Sequence, residues 1–228
     1  MPASRVEIVA HRGAHLGRKQ KENTIDAFRK AIELGCDYIE TDVLQTKDGV
    51  LVCFHDRKID AIPISRLTLQ QLLKKTKRKG IELCLFKEYV SLYPKIRLDI
   101  EIKETGYEES IWALIKDIPT ERYVVKSFNE LAIQRMRRLS REIRLGYLLG
   151  KIDHLHHIER AQKELHLEFI SPKLSLIDRS LSSLAERLGL TIWPWTIRSA
   201  QDHQILENPQ VAALVTDIPS LSRVHLQK

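Results

Sequence analysis

The chain has 228 residues, of which 43% are hydrophobic and 29% are charged, and its formal net charge is +7. This length can bury a sizeable core, and the composition excludes a disordered, collagen-like or coiled-coil protein. No stretch approaches the roughly 18 consecutive apolar residues of a membrane span.

The N-terminal residues lack the apolar segment and cleavage site of a secretory signal. Three cysteines, Cys36, Cys53 and Cys84, are widely spaced and odd in number. That pattern argues against a disulfide framework or a structural zinc site. The sequence therefore predicts a cytoplasmic protein with reduced thiols.

Short apolar, β-branched runs alternate with helical patterns along the whole chain. The predicted strands cover residues 6–10, 37–43, 50–55, 96–103, 123–128, 143–149, 168–174, 191–197 and 212–217. The clearest helical periods run from Thr24 to Leu34, with Asn23 as the predicted N-cap, and from Leu181 to Leu188. This alternation predicts a parallel sheet with helical crossovers.

Nine strands are one too many for a closed barrel of eight. The link between the second and third strands is only residues 44–49, which is too short for a parallel crossover. A Lys47-Asp48-Gly49 turn instead predicts an antiparallel hairpin. We therefore expect an α/β fold: one (β/α)8 TIM barrel, forming a single domain over residues 1–228, with one extra antiparallel strand after the second parallel strand. Pro194 predicts a bulge or an early end in the eighth predicted strand.

Catalytic side chains of such a barrel project from the C-terminal ends of its strands. Polar residues at those predicted ends include His11, Arg12, Glu40, Asp42, His55, Asp99, Glu101, Lys103, Ser127, Trp195, Thr196, Thr216 and Asp217. A hairpin turning near Lys47 would pair residues whose numbers sum to about 95. That register predicts Glu40 opposite His55.

The carboxylates Glu40, Asp42 and Glu101 would repel one another in a barrel mouth unless they are protonated or bind a metal. All-oxygen ligation favours a hard divalent cation, Mg²⁺ or Ca²⁺. With such an ion, Arg12 and Lys103 would leave the site with one positive charge, which a phosphodiester neutralises. Histidines at its edge could act as general acid and general base.

Short motifs occur in a fixed order from residue 11 to residue 219. They are H-R-G, E-N-T, E-T-D, K-D-G, H-D, E-I-K, S-F, W-T and T-D-x-P. In this order they closely resemble the glycerophosphodiester phosphodiesterase family, which belongs to the phosphatidylinositol-phospholipase-C-like barrels. The resemblance covers nearly the whole chain.

The resemblance implies a (β/α)8 barrel that hydrolyses a glycerophosphodiester to glycerol 3-phosphate and an alcohol. It implies that His11 and His55 are the catalytic acid/base pair. It further implies that the metal ligands are Glu40, Asp42 and Glu101. By the same resemblance, Arg12 and Lys103 bind the phosphate, and Trp195 forms one wall of the substrate pocket. The expected partner is a small glycerophosphodiester.

The chain also departs from the family pattern. Lys21 stands where the family usually has proline, and the segment from Asp56 to about Ile96 looks shorter than usual. Arg198 occupies a position that is often asparagine. The shorter segment leaves the size of the substrate open.

Two other functions remain open at this stage. A lysophospholipase D would use the same chemistry on a single-chain lipid, with basic runs at 74–79 and 135–144 favouring weak contact with an anionic membrane surface. A catalytically silent barrel that binds a phosphate ligand is the alternative from another class. The basic runs contain no aromatic residues, so specific nucleic-acid binding is not expected. The oligomeric state does not follow from the sequence.

Overall fold

The computed structural model describes residues 5–15, 17–151 and 155–226. Twelve strands lie within these residues. In chain order they are β1 (Glu7–Ala10), β2 (Tyr38–Gln45), β3 (Leu51–Cys53), β4 (Lys58–Ile59), β5 (Ile62–Pro63), β6 (Cys84–Leu85), β7 (Arg97–Ile102), β8 (Tyr123–Ser127), β9 (Leu145–Leu149), β10 (Phe169–Pro172), β11 (Thr191–Ile192) and β12 (Ala213–Thr216).

Eight helices pack around these strands in the described residues. They are α1 (Ile25–Glu33), α2 (Leu69–Arg78), α3 (Phe86–Val90), α4 (Glu108–Ile115), α5 (Glu130–Leu139), α6 (Leu155–Leu165), α7 (Arg179–Arg187) and α8 (Pro219–Leu226). The hydroxyl of Thr24 accepts the amide of Ala27 and caps α1, so the prediction that Asn23 is the N-cap was wrong. Gly35 follows α1 at a φ of 68°.

The central sheet is a parallel barrel, which confirms the predicted (β/α)8 fold. Strands β1, β2, β7, β8, β9, β10 and β11 lie side by side, and β12 pairs with β1. The seam between β11 and β12 closes through single bridges such as Ile192 to Val211 and Ile197 to Thr216. β11 ends at Ile192, two residues before Pro194, whose carbonyl still accepts the amide of Val215. The early end predicted from this proline is therefore observed.

The predicted extra hairpin is also present, because β3 runs antiparallel to β2. Val43 lies opposite Cys53, so the paired numbers sum to one more than the predicted 95, and β3 ends before His55. The expected pairing of Glu40 with His55 was therefore wrong. A one-residue shift moves every side chain to the other face of a strand.

Two pairings were not predicted. β6 adds an antiparallel partner to β3, with Cys53 opposite Cys84. β4 and β5 form a two-residue hairpin in the segment after Asp56. The unpredicted strands β4, β5 and β6 have only two residues each, which is too short to produce a period-two hydrophobic signal. The assignment of residues 1–228 to a single domain stays a prediction.

Hydrophobic side chains form one layer inside the barrel and another between barrel and helices. The inner cluster contains Val9, Tyr38, Val124, Phe169, Trp193, Ala213 and Val215. Phe169 stacks on Trp193 with ring centroids 4.2 Å apart. Gly146 of β9 leaves room for this stack, since a Cβ at this position would lie 2.2 Å from the Phe169 ring. The layer closes the barrel below the polar mouth.

The substitution Gly146→Ala should lower the free energy of unfolding by about 1–3 kcal/mol, because overpacking a filled core forces side chains off their rotamers. Urea denaturation measures the change. Gly150→Ala is the matched control, since its Cβ would meet only Phe128, at 3.2 Å. Adding Phe169→Leu to Gly146→Ala should recover part of the loss. Equal stability of Gly146→Ala and the wild type would contradict this packing argument.

Candidate functional site

The candidate site lies in a cavity of about 180 Å³ at the C-terminal mouth of the barrel. Its lining combines charged, imidazole and apolar side chains from five parallel strands and adjoining loops. The lining residues are His11, Arg12, Glu40, His55, Glu101, Lys103, Lys126, Phe128, Leu148, Trp195 and Val215. The family resemblance gave a role in the site to eight residues, and seven of them line this one cavity. The eighth, Asp42, contacts the lining residues Arg12 and Lys103.

Three carboxylates form the acidic centre of this mouth. Glu40 and Asp42 lie two apart on β2 and so share a face of the strand, while Asp42 pairs in register with Glu101 of β7. One oxygen from each of the three lies within 4.8 Å of the others, and all three residues are buried. The parallel register alone thus produces the cluster, which we call the carboxylate cluster.

Two cations partly neutralise the carboxylate cluster. The Lys103 ammonium lies 2.7 Å from Glu101 Oε1 and 3.1 Å from Asp42 Oδ1. The Arg12 guanidinium Nε lies 3.1 Å from Asp42 Oδ2. Two positive charges therefore face three carboxyl groups, which leaves one formal negative charge.

The pKa values reflect this imbalance. Burial raises the pKa of Glu40 well above its usual range, and the charge of Asp42 adds to the rise. Burial also raises the pKa of Glu101. For Asp42 burial acts in the same direction, but Lys103 and Arg12 outweigh it and hold the pKa below its usual range.

The chemistry of the donors fits a divalent cation. A buried, all-oxygen cluster with an uncompensated negative charge suits Mg²⁺ or Ca²⁺ better than a softer metal. Burial and the charge of Asp42 raise the pKa of both Glu40 and Glu101, and a divalent cation bound to their oxygens would favour the ionised carboxylates. Glu40, Asp42 and Glu101 are the residues that would hold such an ion.

The loop between β1 and α1 fixes the cluster from one side. Arg12 has a left-handed backbone, with φ at 55°, and its amide donates to Glu40 Oε2 at 2.9 Å. Its side chain also donates to Glu22 at 2.8 Å. Gly13 follows at a φ of 80°, and a Cβ there would lie 2.8 Å from the backbone of Ala27. The backbone conformation and the close packing therefore explain the glycine of the H-R-G motif, and its arginine supplies a positive charge.

Asn23 also holds the carboxylate cluster in place. Its side-chain amide donates to Asp42 Oδ2 at 2.9 Å, and its oxygen accepts the hydroxyl of Thr41 at 2.7 Å. Asn23 was expected to cap a helix, and only the E-N-T motif marked it as part of a pattern. The asparagine instead orients a carboxylate of the cluster.

His11 is buried and held by Asp217, which lies at the end of β12. His11 Nδ1 and Asp217 Oδ1 are 2.6 Å apart. Burial lowers the pKa of His11 to about 4, although Asp217 acts in the opposite direction. The ring is therefore neutral at pH 7, and with Nδ1 bound to Asp217, Nε2 is the nitrogen that a ligand in the cavity can reach.

Asp217 has two further partners. Arg198 Nε donates to its second oxygen, Oδ2, at 2.7 Å, and His15 Nε2 lies 3.4 Å from Oδ1. Asp217 was noted at a strand end but given no role, and His15 was not weighed. Arg198, noted in the sequence only as a departure from the family pattern, pairs with Asp217 in the structure.

His55 occupies a different environment from His11. Its side chain is 38% exposed, and its Nδ1 lies 2.8 Å from Asp56. Burial lowers its pKa, with the charge of Asp42 opposing the shift. His55 also lines a larger, adjoining cavity of about 380 Å³ with Lys19, Phe54 and Ile81. The ring therefore stands between the inner cavity and an outer one.

The inner cavity also has a polar base and an aromatic wall. Lys126 and Asp99, 2% and 0% exposed, form an ion pair of 2.5 Å below the carboxylate cluster. Trp195 donates its indole N–H to the carbonyl of Ser171 at 2.8 Å and meets the ring of Phe128 edge to face. Alternation along β8 assigns Lys126 to one face of the strand but does not say which face is inward.

The sequence pattern of the glycerophosphoryl diester phosphodiesterase family matches residues 11–221. A glycerophosphodiester phosphodiesterase from Caldanaerobacter subterraneus subsp. tengcongensis is 29% identical over 237 residues, covering 93% of this chain and 94% of that protein. No helix in the described part of the chain combines the length and apolarity of a membrane span.

Solved structures share the fold. A phosphodiesterase from Oleispira antarctica, solved with the product sn-glycerol-3-phosphate, matches with a TM-score of 0.83 at 21% identity, covering 97% of each chain. A glycerophosphodiester phosphodiesterase from Thermotoga maritima matches with a TM-score of 0.79 at 22% identity, covering 96% of this chain and 98% of that one. Because the family pattern spans nearly the whole barrel, this chain belongs to the glycerophosphoryl diester phosphodiesterase family.

Proposed function

We propose that the protein hydrolyses water-soluble glycerophosphodiesters to glycerol 3-phosphate and an alcohol, with a divalent cation held by Glu40, Asp42 and Glu101. The observation that carries this proposal is the carboxylate cluster, which lies between two cations and two histidines around one small cavity. The relative from Oleispira antarctica, solved with sn-glycerol-3-phosphate, supports the expected product.

Phosphate binding follows from charge. When bound, Mg²⁺ or Ca²⁺ supplies positive charge to the non-bridging phosphate oxygens. Arg12 and Lys103 face the same cavity and add two further cations. Arginine suits this role because its planar fork matches phosphate oxygens. These charges stabilise the negative charge that develops on the phosphoryl group during hydrolysis.

The histidines divide the proton transfers between them. His11 is neutral and its Nδ1 is bound to Asp217, so we assign it the proton that leaves the attacking oxygen. His55 stands at the boundary with the outer cavity, where a departing alcohol has room, and we assign it the proton given to the leaving oxygen. Asp217 keeps the first ring in one tautomer and orientation.

The size of the inner cavity favours a diester over a lipid. About 180 Å³ accommodates a glycerophosphate group, and Trp195 and Phe128 form a wall beside it. An acyl chain on the glycerol would have to leave this space. A single-chain phospholipid is therefore the less favoured substrate, although the bond cleaved would be of the same type.

The proposed metal site predicts that hydrolysis depends on a divalent cation. Glycerol 3-phosphate release from glycerophosphocholine should require Mg²⁺ or Ca²⁺ and stop with a chelator. Glu101→Gln should raise the metal concentration for half-maximal rate at least about tenfold, since even loss of an outer-shell partner has that effect. Glu104→Gln is the control, because Glu104 pairs with Arg57 outside the cluster. Release that survives chelation would contradict the proposal.

The second prediction concerns Asp217. Asp217→Asn should lower kcat by about 10- to 100-fold and leave KM nearly unchanged, because the carboxylate orients His11 rather than the substrate. Asp217→Glu should restore part of the rate. Asp26→Asn, on the exposed start of α1, serves as the control. Steady-state kinetics that show a pure KM effect for Asp217→Asn would place the residue in substrate binding instead.

The third prediction separates diester from lipid. The kcat/KM for glycerophosphocholine should exceed that for lysophosphatidylcholine, because of the small inner cavity. Trp195→Ala should narrow the difference by enlarging that cavity, whereas Trp112→Ala, on α4, should not. A higher kcat/KM for lysophosphatidylcholine in the wild type would show a lysophospholipase D. Turnover of neither substrate would favour a silent phosphate-binding barrel.

A further inference from the structure

A second group of metal-ligating side chains lies beside the carboxylate cluster. His11, His15 and Asp217 each offer one donor atom, and the three atoms lie within 4.8 Å of one another. The group shares no residue with the carboxylate cluster. The proposed reaction uses His11 and Asp217 but assigns nothing to His15.

His15 is the residue that needs an explanation. It is 5% exposed, and its Nδ1 is buried without a hydrogen-bond partner among the described residues. Its other nitrogen, Nε2, lies 3.4 Å from Asp217 Oδ1, which is longer than a good hydrogen bond. A buried imidazole with such weak partners is unfavourable. Its Nε2 points at the carboxylate oxygen that also contacts His11.

The donor types differ from those of the carboxylate cluster. Two imidazole nitrogens with one carboxylate oxygen are ligands typical of Zn²⁺, with the fourth position open. Zn²⁺ bonds of about 2.0–2.1 Å place tetrahedral donors roughly 3.3 Å apart. The His15–Asp217 separation already matches that value, and the 2.6 Å contact of His11 with Asp217 would open by less than about 1 Å.

The surroundings support the same ligand. Arg198 Nε donates to Asp217 Oδ2 at 2.7 Å, which leaves Oδ1 directed at the two histidines. Metal-binding carboxylates commonly carry such an outer hydrogen bond, which fixes their orientation. His11 and Asp217 directly follow the paired strands β1 and β12, and the amide of His11 donates to the carbonyl of Thr216 at 3.0 Å, whereas His15 lies in the loop between β1 and α1.

We propose that His11, His15 and Asp217 form an inhibitory Zn²⁺ site. An imidazole that binds the metal through Nδ1 carries its proton on Nε2 and cannot accept another. His11 would then be unable to take a proton from an attacking oxygen. Zinc binding does not depend on the proposed function, whereas inhibition rests on it.

The binding experiment uses the full chain in excess Mg²⁺, which occupies the carboxylate cluster. Calorimetry with Zn²⁺ should show one site, and X-ray absorption at the zinc edge of the wild type should show two imidazole ligands. His15→Gln should weaken binding at least tenfold, while His157→Gln, an exposed histidine of α6, should not change it. A spectrum of the wild type that shows only oxygen ligands around zinc would by itself overturn the proposal.

The inhibition experiment measures glycerol 3-phosphate release against Zn²⁺ concentration, with each variant scaled to its own zinc-free rate. Inhibition should persist in excess Mg²⁺, reverse with a chelator, and need at least tenfold more zinc in His15→Gln. Equal zinc sensitivity of His15→Gln and wild type would overturn the site, as would loss of binding in His157→Gln. If the protein releases no product at all, calorimetry and absorption still decide the site, and only the proposed function fails.

Discussion

Three carboxyl groups that share one buried mouth set the main constraint on this structure. Like charges at such distances are stable only with cations beside them. Arg12 reaches Asp42 from the loop after β1, and Lys103 reaches Asp42 and Glu101 from the end of β7. The backbone amide of Arg12 also binds Glu40. The loop conformation, the strand register and the placement of charge are therefore parts of one arrangement.

The same constraint separates the two histidines. His11 lies deep in the mouth, where burial keeps the ring neutral and Asp217 holds one nitrogen. His55 lies at the rim, where the side chain is partly exposed and its carboxylate partner, Asp56, is exposed as well. Burial lowers the pKa of both rings, and the charges of Asp217 beside His11 and of Asp42 near His55 oppose that shift. The two rings therefore differ in exposure and in the carboxylate that each contacts.

The sequence predicted the barrel because alternation of strands and helices is repeated eight times, and local errors do not remove it. It failed where a single residue decides the outcome. The hairpin register was off by one, because a glycine turn does not specify its own loop length. Asn23 was predicted to cap a helix, because the sequence does not show whether an asparagine before a helix binds a backbone amide or the side chain of Asp42. The role of Asp217 became evident only from its contact with His11, which lies 206 positions away in the chain.

The placement of that contact has a consequence for how the protein acquires its activity. His11 directly follows the first strand of the barrel and Asp217 directly follows the last, and the two strands pair only when the sheet closes. Contacts between distant parts of a chain form late in folding because their closure entropy is high. A chain emerging from the ribosome therefore carries its carboxylates and cations long before its oriented histidine. Maturation of the site requires the segment that follows β12, and a fragment that ends before Asp217 would fold with His11 lacking its carboxylate partner.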